Sequence, residues 1–194
     1  MVIYYMTFSG DWFSDLTIME SIMDEVEFYS GTERKNMLKK GGIKNEKGSG
    51  SMLYGCTWRG YLSPTKTRTK CLETGLYLTK VVDDNPHLKE IFKEFSFYYF
   101  PEFKWTQVQM NKNFRCPPHK DSLNIGESIL VSFGDYIGGE TGVEKEDGIV
   151  KYDSRTKPIK FDGSKYLHYV EPFEGKRYSL VFFNNIKNRL KLNN

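Results

Sequence analysis

The sequence has few of the residues that cross-link small proteins or bind structural zinc. Its three cysteines, Cys56, Cys71 and Cys116, are odd in number and form no Cys-x-x-Cys pair. These features exclude a disulfide scaffold and a cysteine-based zinc site, and they favour a reducing compartment. We therefore expect an intracellular protein, in the cytoplasm or the nucleus.

Long apolar runs are also missing. No stretch approaches the ~18 consecutive apolar residues of a membrane-spanning helix, and the first residues lack the basic and apolar regions of a secretory signal. We find no internal repeat and no long linker. With 194 residues, of which 39% are hydrophobic, the chain is expected to form one domain over 1–194 with a substantial core. We expect no contact with membranes and a monomeric state.

The net charge of +3 is small, but it is unevenly distributed. Residues 34–70 contain ten basic side chains and one acidic side chain. Basic groups neutralise phosphates, and exposed aromatic rings stack on bases. This segment therefore predicts contact with nucleic acid, although a buried Trp58 beside a solvated charged face remains an equal alternative. The candidate substrate contacts in it are Trp58, Arg59, Lys66 and Arg68.

Two helices are predicted before residue 100, at 15–28 and 85–94. Apolar residues recur there at helical spacing, with Ser14 or Asp15 as caps of the first helix and Asp84 as the cap of the second. Beyond residue 100, short apolar runs alternate with Gly, Asp and Pro, which predicts strands at 103–110, 128–133, 149–152, 159–161, 166–170 and 177–183. This order predicts a mainly β (α+β) fold of sandwich or jelly-roll type, buttressed on one face by the N-terminal helices.

Two of the three histidines lie in a pattern typical of a metal site. In an extended segment, residues i and i+2 project to the same side, so His119 and Asp121 can reach one ion. With His168 they supply two imidazoles and one carboxylate, the facial triad of non-haem Fe(II) oxygenases, whereas a closed zinc site needs a fourth ligand. His87 lies at a helix start, where we expect it to be exposed and without a role.

A basic residue and a hydroxyl follow His168 across a Pro-to-Gly turn. Arg177 is therefore expected on a strand antiparallel to the strand of His168, with Ser179 on the same face. A buried guanidinium there could bind a dicarboxylate with two parallel hydrogen bonds, and Ser179 could add a third. The alternative is an ordinary surface arginine.

Taken together, His119-x-Asp121, His168 and Arg177-x-Ser179 resemble the motif of the Fe(II)/2-oxoglutarate-dependent dioxygenases over about 103–184. Residues 119–126 and 133–139 look most like the TET/JBP-like branch of protists and viruses, which oxidises the methyl group of pyrimidine bases. The resemblance implies a double-stranded β-helix core at 103–184, with residues 1–100 as helical support and a basic insertion. It also implies that His119, Asp121 and His168 bind Fe(II), that Arg177 and Ser179 bind 2-oxoglutarate, and that O2 takes the last metal position.

Each polar residue near this motif can have one of two structural roles. Gln107, Gln109 and Asn111 alternate along a predicted strand, so they either face the interior of a barrel or form a solvated row. Asn124 either contacts substrate or hydrogen-bonds within its turn.

We consider three functions. The first is a nucleic-acid base dioxygenase, the second a prolyl or lysyl protein hydroxylase with the same iron chemistry, and the third a non-catalytic binding module. The intact triad and Arg177 argue against the third, and the basic segment favours the first over the second.

Overall fold

The protein is mainly antiparallel β-structure with helices at its N-terminal side. The computed structural model describes residues 7–28, 43–44, 49–57 and 76–185. Within these ranges the helices are α1 (Trp12–Asp24), α2 (Lys80–Asp84) and α3 (Leu88–Tyr99). None of them is long and apolar enough to cross a membrane. The strands are β1 (Ile43–Lys44), β2 (Gly50–Thr57), β3 (Tyr77–Leu78), β4 (Gln107–Lys112), β5 (Phe114–Arg115), β6 (Ser128–Phe133), β7 (Tyr136–Gly138), β8 (Thr141–Lys145), β9 (Gly148–Tyr152), β10 (Ile159–Phe161), β11 (His168–Val170), β12 (Phe173–Gly175) and β13 (Tyr178–Phe183).

The strands form a double-stranded β-helix, as expected. A six-stranded major sheet has the order β10-β6-β13-β4-β2-β3, and a minor sheet has the order β11-β8-β9. A bridge between His119 and His168 adds one further residue pair beside β11. Two short pairs, β12-β7 and β1-β5, complete the described sheets. Residues of both main sheets line a common internal cavity, so the sheets face each other.

Alternation along β4 shows how the sequence separates the two faces of the major sheet. Val108 and Met110 are fully buried and pack in the same cluster as the helices. The residues between and beside them, Gln107, Gln109 and Asn111, are also buried, and Gln109 and Asn111 line the internal cavity. The helices therefore pack on the outer face, and the row of amides faces the barrel interior rather than solvent.

The first helix begins earlier than predicted. Asp11 is its cap, because its side chain accepts a hydrogen bond from the Ser14 backbone N–H at 2.9 Å. Asp15, expected to be a cap, lies instead inside the helix with no exposed surface. Leu16, Met19 and Met23 supply the buried face that packs on the sheet.

The second predicted helix, at 85–94, is observed as α3 at Leu88–Tyr99, and the short helix α2 that precedes it was not predicted. Asp84 ends α2 rather than capping α3, and α3 begins at Leu88. Asn85 precedes Pro86, and a residue before proline is disfavoured in the helical region. Asn85 accordingly has φ −133° and ψ 59°. His87 is the cap residue of α3, is exposed, and makes no capping bond with its side chain.

One strand of the major sheet lies inside the segment that was expected to be an insertion. β2 pairs with β4 over six residues, from Gly50 opposite Lys112 to Gly55 opposite Gln107. This strand brings part of the N-terminal half of the chain directly against the interior of the barrel. Residues 58–75 lie outside the described residues, and with them Trp58, Arg59, Lys66 and Arg68.

A buried carboxylate ties the N-terminal turn to both long helices. Asp15 accepts hydrogen bonds from the backbone N–H groups of Ser9 and Gly10 at 2.9 Å, and from the Tyr99 hydroxyl at 2.5 Å. Burial raises the pKa of Asp15, but these hydrogen bonds outweigh the burial and hold its pKa below the usual value. The folded protein therefore favours the ionised carboxylate.

We predict that Asp15→Asn lowers the free energy of unfolding by about 2–3 kcal/mol at pH 7, because charge-assisted hydrogen bonds are lost and an amide donor meets backbone donors. Urea unfolding measures this change. The deficit should shrink as the pH falls through the lowered native pKa, since the ionised form stabilises the fold only above it. Asp147→Asn, at an exposed position in the β8–β9 turn, is the matched control, and an equal loss in both variants would contradict the prediction.

Candidate active site

The two histidines of the predicted triad are held together by their own main chains. The backbone N–H of His119 donates to the carbonyl of His168 at 3.0 Å, and the reverse bond has the same length. The Asp121 N–H donates to the Gly163 carbonyl at 2.8 Å. One potential ligand atom from each of His119, Asp121 and His168 lies within 4.8 Å of the others. The structure thus brings the predicted triad together.

Hydrogen bonds to the imidazole rings set which nitrogen is available. Nδ1 of His119 lies 2.7 Å from the Pro117 carbonyl oxygen, and Nδ1 of His168 lies 3.1 Å from that of Tyr166. A carbonyl oxygen can only accept, so each Nδ1 carries a proton, and in the neutral ring each Nε2 then keeps its lone pair for a metal. The Nε2 atoms lie 3.7 and 3.6 Å from the two oxygens of Asp121. This donor set of two imidazoles and one carboxylate fits a divalent transition metal.

A cavity, which we call the cosubstrate cavity, extends from this cluster to Arg177. Arg177 is only 2% exposed, and its Nε and Nη2 atoms have no hydrogen-bond partner among the described residues. Its guanidinium carbon lies 5.4 Å from the centre of the Tyr136 ring and 5.6 Å from that of Phe173. Burial lowers the pKa of the guanidinium, which the nearby Tyr136 hydroxyl partly opposes. Arginine nevertheless stays charged in proteins, so the cavity ends in a cation that requires an anion.

The position of Arg177 is fixed by backbone contacts. Its N–H donates to the side-chain oxygen of Asn113 at 2.7 Å, and the Asn113 N–H donates to its carbonyl at 2.8 Å. Asn113 has φ +48°, a left-handed conformation that asparagine tolerates better than most residues. A Cβ atom at Gly139 would lie 3.0 Å from the Arg177 side chain. A glycine at that position therefore leaves room for the arginine.

Two hydroxyls share the cosubstrate cavity with Arg177. Ser179 was predicted there, and its Oγ accepts a hydrogen bond from Asn111 at 3.1 Å. Thr141 was not predicted: it is 2% exposed, and its Oγ1 has no partner among the described residues. No local sequence motif predicts a role for Thr141. It lies in the site because the short strand β8 pairs with β11.

A second cavity of about 280 Å³, which we call the substrate cavity, shares Gln109, Asp121 and Phe183 with the first. Asn124 lies in its wall and serves its own turn, since its backbone N–H donates to the Asp121 carbonyl at 2.8 Å. Its side-chain amide also donates to Oδ2 of Asp121 at 3.5 Å. The hydrogen bonds of Asn124 within its turn are thus observed, and its contact with substrate stays a prediction. The other lining residues are Leu53, Thr57, Gln107, Lys120, Ser122, Leu123 and Asn185.

Comparison with known proteins shows the fold. No family model and no curated protein matches the sequence. An oxidoreductase of the 2OG-Fe(II) oxygenase family from Burkholderia pseudomallei is 14% identical, with a TM-score of 0.54 over 89% of this chain and 79% of that chain. The chain is also similar to NgTET1 in complex with 5mC DNA, with 17% identity and a TM-score of 0.48 over 89% of this chain and 69% of that chain. A third similar structure is a Pseudomonas putida prolyl-4-hydroxylase, with 12% identity and a TM-score of 0.48 over 92% of this chain and 88% of that chain. The likeness to the Burkholderia protein confirms the double-stranded β-helix.

We predict that Asp121→Ala weakens the binding of Mn(II) or Co(II) roughly a hundredfold or more, because it removes the one anionic ligand of the cluster. Isothermal titration calorimetry measures the affinity. Far-UV circular dichroism should change little, since the side chain is 19% exposed and lies in a turn. Asp147→Ala should bind the metals as the parent protein does. Unchanged affinity in Asp121→Ala would place the metal elsewhere.

Proposed function

We propose that this protein is an Fe(II)/2-oxoglutarate-dependent dioxygenase that hydroxylates a C–H bond. The observation that carries the proposal is the buried Arg177. Two of its guanidinium nitrogens have no partner among the described residues, and it lines the same cavity as the His119, Asp121 and His168 cluster. A dianionic ligand that reaches from the cluster to the guanidinium satisfies both ends. 2-Oxoglutarate has this chemistry, with an oxo acid at one end and a carboxylate at the other.

Each residue has a defined task in this proposal. His119, Asp121 and His168 would hold Fe(II), which together with 2-oxoglutarate and O2 supplies the oxidation of a C–H bond. The carbonyls of Pro117 and Tyr166 fix the two rings, so the metal ligands are already oriented. Arg177, Ser179 and Thr141 would bind the distal carboxylate. Phe161 and Phe183 line the same cavity and exclude water from it.

For the substrate we propose the methyl group of a pyrimidine base in nucleic acid. The ten basic residues between 34 and 70 support this assignment, with Trp58, Arg59, Lys66 and Arg68 as proposed contacts. The polar wall of the substrate cavity supports it as well, because a base offers several hydrogen-bonding groups and a prolyl ring offers none. The alternative remains a prolyl or lysyl hydroxylase with the same iron chemistry.

The direct test is incubation of the protein with Fe(II), 2-oxoglutarate and methylated or unmodified oligonucleotides, followed by mass spectrometry of the nucleosides. Succinate release is measured in parallel. Oxidised nucleosides together with succinate support the proposal. Succinate release that peptides stimulate and oligonucleotides do not would favour the protein hydroxylase.

We predict that Arg177→Lys raises the apparent KM for 2-oxoglutarate at least tenfold, because lysine keeps the charge but loses the planar pair of donors. Thr141→Val should raise it about fivefold, by loss of one neutral hydrogen bond. Arg155→Lys is the matched control: Arg155 contacts the same Tyr136 ring at 4.5 Å but pairs with Asp153 outside the cavity. An unaltered KM in Arg177→Lys would show that another group binds the carboxylate.

We predict that oligonucleotide affinity falls with salt and that the slope is smaller for Arg59→Ala and for Lys66→Ala combined with Arg68→Ala. When a phosphate contact is lost, binding releases fewer counterions, so the affinity depends less steeply on salt concentration. Filter binding over a salt series measures the slopes. Lys157→Ala, at an exposed position between β9 and β10, should leave the slope unchanged. Trp58→Ala should reduce oxidation more than bulk affinity if the indole supports an extruded base.

If no oligonucleotide binds even at low salt, the assignment to nucleic acid is wrong. Circular dichroism and succinate release without substrate establish for each variant that the fold and the metal site are intact.

A further inference from the structure

The inner face of β4 carries three buried amide side chains, and two of them are paired. Asn111 accepts a hydrogen bond from the Ser51 hydroxyl at 2.6 Å and donates to the Ser179 hydroxyl at 3.1 Å. Gln109 donates to the same Ser51 hydroxyl at 2.9 Å. Serines on the neighbouring strands β2 and β13 thus hold this part of the row in one arrangement.

Gln107, the third amide, differs from the other two. It is 3% exposed, and its Oε1 accepts no hydrogen bond from any described residue. Its cross-strand neighbours are Gly55 on β2 and Phe183 on β13, and neither carries a polar side-chain group. A buried acceptor without a donor destabilises the folded state, and among the described residues this oxygen has no donor.

The residue that carries this acceptor is part of the wall of the substrate cavity. Gln107 lines that cavity together with Asp121, the carboxylate of the proposed metal site. A group bound in the cavity therefore shares it with both Asp121 and Gln107. Apolar surface for the faces of a flat ring is supplied in the same cavity by Leu53, Leu123 and Phe183.

We propose that Gln107 determines substrate specificity: its Oε1 accepts a hydrogen bond from an N–H group on the pairing edge of the pyrimidine that is oxidised. This inference rests on the proposed function, because it takes the base to occupy the substrate cavity. A carboxamide oxygen pairs only with a donor. Cytosine offers its exocyclic amine, and thymine or uracil offers its ring N–H.

The same chemistry disfavours a prolyl substrate. A prolyl residue has no N–H on its ring or at its amide nitrogen, so it would leave Gln107 buried and unpaired. A site built to bind a donor rejects ligands that lack it more strongly than an apolar pocket rejects a misfit. Gln107 therefore discriminates between bases with and without an N–H group at this edge.

The test compares three short single-stranded oligonucleotides that differ at one base: 5-methylcytosine, thymine, and 5-methyl-2-pyrimidinone, which has no N–H donor. Fluorescence anisotropy measures their binding to the full chain with Fe(II) and 2-oxoglutarate in the absence of oxygen. Salt of about 0.2 M weakens the phosphate contacts that would mask the base. We expect at least one of the first two bases to bind roughly tenfold more tightly than the third, and their difference identifies which donor is used.

Gln107→Met keeps the length of the side chain and removes the acceptor, so the preference should disappear. Gln107→Glu keeps an acceptor, so the preference should remain. The matched control is Tyr54→Phe, which removes another buried hydroxyl, on a ring that packs on Phe92 beneath the helices. It should leave the preference unchanged.

An equal preference in the parent protein and in Gln107→Met would overturn the inference, and so would the absence of any preference in the parent. The proposed function is tested separately by succinate release and nucleoside oxidation. If these persist while the preference does not depend on Gln107, only the inference fails. If 2-oxoglutarate is never consumed, the proposed function fails first. A rise in Tm without a change of preference in Gln107→Met would show that the orphaned oxygen is a structural cost alone.

Discussion

The candidate site depends on the pairing of two distant segments through the main chains of His119 and His168. Their two reciprocal backbone hydrogen bonds, each 3.0 Å long, place both rings on one side of the barrel before any ligand is present. The ring nitrogens not used for a metal are then bound by carbonyls two residues earlier in the chain. Main-chain groups therefore provide the hydrogen bonds that orient both imidazoles. The two rings therefore lose their conformational entropy when the protein folds rather than when a ligand binds.

Arg177 imposes the second constraint. A guanidinium that is 2% exposed and flanked by the Tyr136 and Phe173 rings has lost most of its water, and neither ring replaces a counter-anion. Two hydrogen bonds between Asn113 and the Arg177 backbone hold that backbone in place, so the charged group cannot move outward to solvent. The protein therefore carries a local electrostatic penalty that a bound carboxylate relieves. A preorganised cation of this kind selects a ligand by charge as well as by length.

Local patterns predicted much of this architecture, and contacts between distant residues were the part that they could not predict. The strands at 128–133 and 159–161 have the predicted bounds, because each is a short apolar run between turn residues. The order of helices before strands predicted the jelly roll and its outer helical layer. β2 was missed because its Gly- and Ser-rich sequence has no clear alternation, and its partner β4 lies more than fifty residues away. The metal-binding pair His119 and Asp121 could be predicted because its spacing is local. Thr141 could not, because only cross-strand pairing places it in the cavity.

Strand β4 connects the two cavities with a spacing that the backbone sets. Alternate residues on one face of a strand lie about 7 Å apart, so Asn111, Gln109 and Gln107 form a row of fixed length. Asn111 binds Ser179 in the cosubstrate cavity, Gln109 lines both cavities, and Gln107 lies in the substrate cavity. The serine contacts that lock the first two amides also fix the strand that carries the third. In the proposed function, a reacting carbon positioned by Gln107 would therefore be held at a set distance from the cosubstrate, which is the geometric requirement of a reaction between two bound molecules.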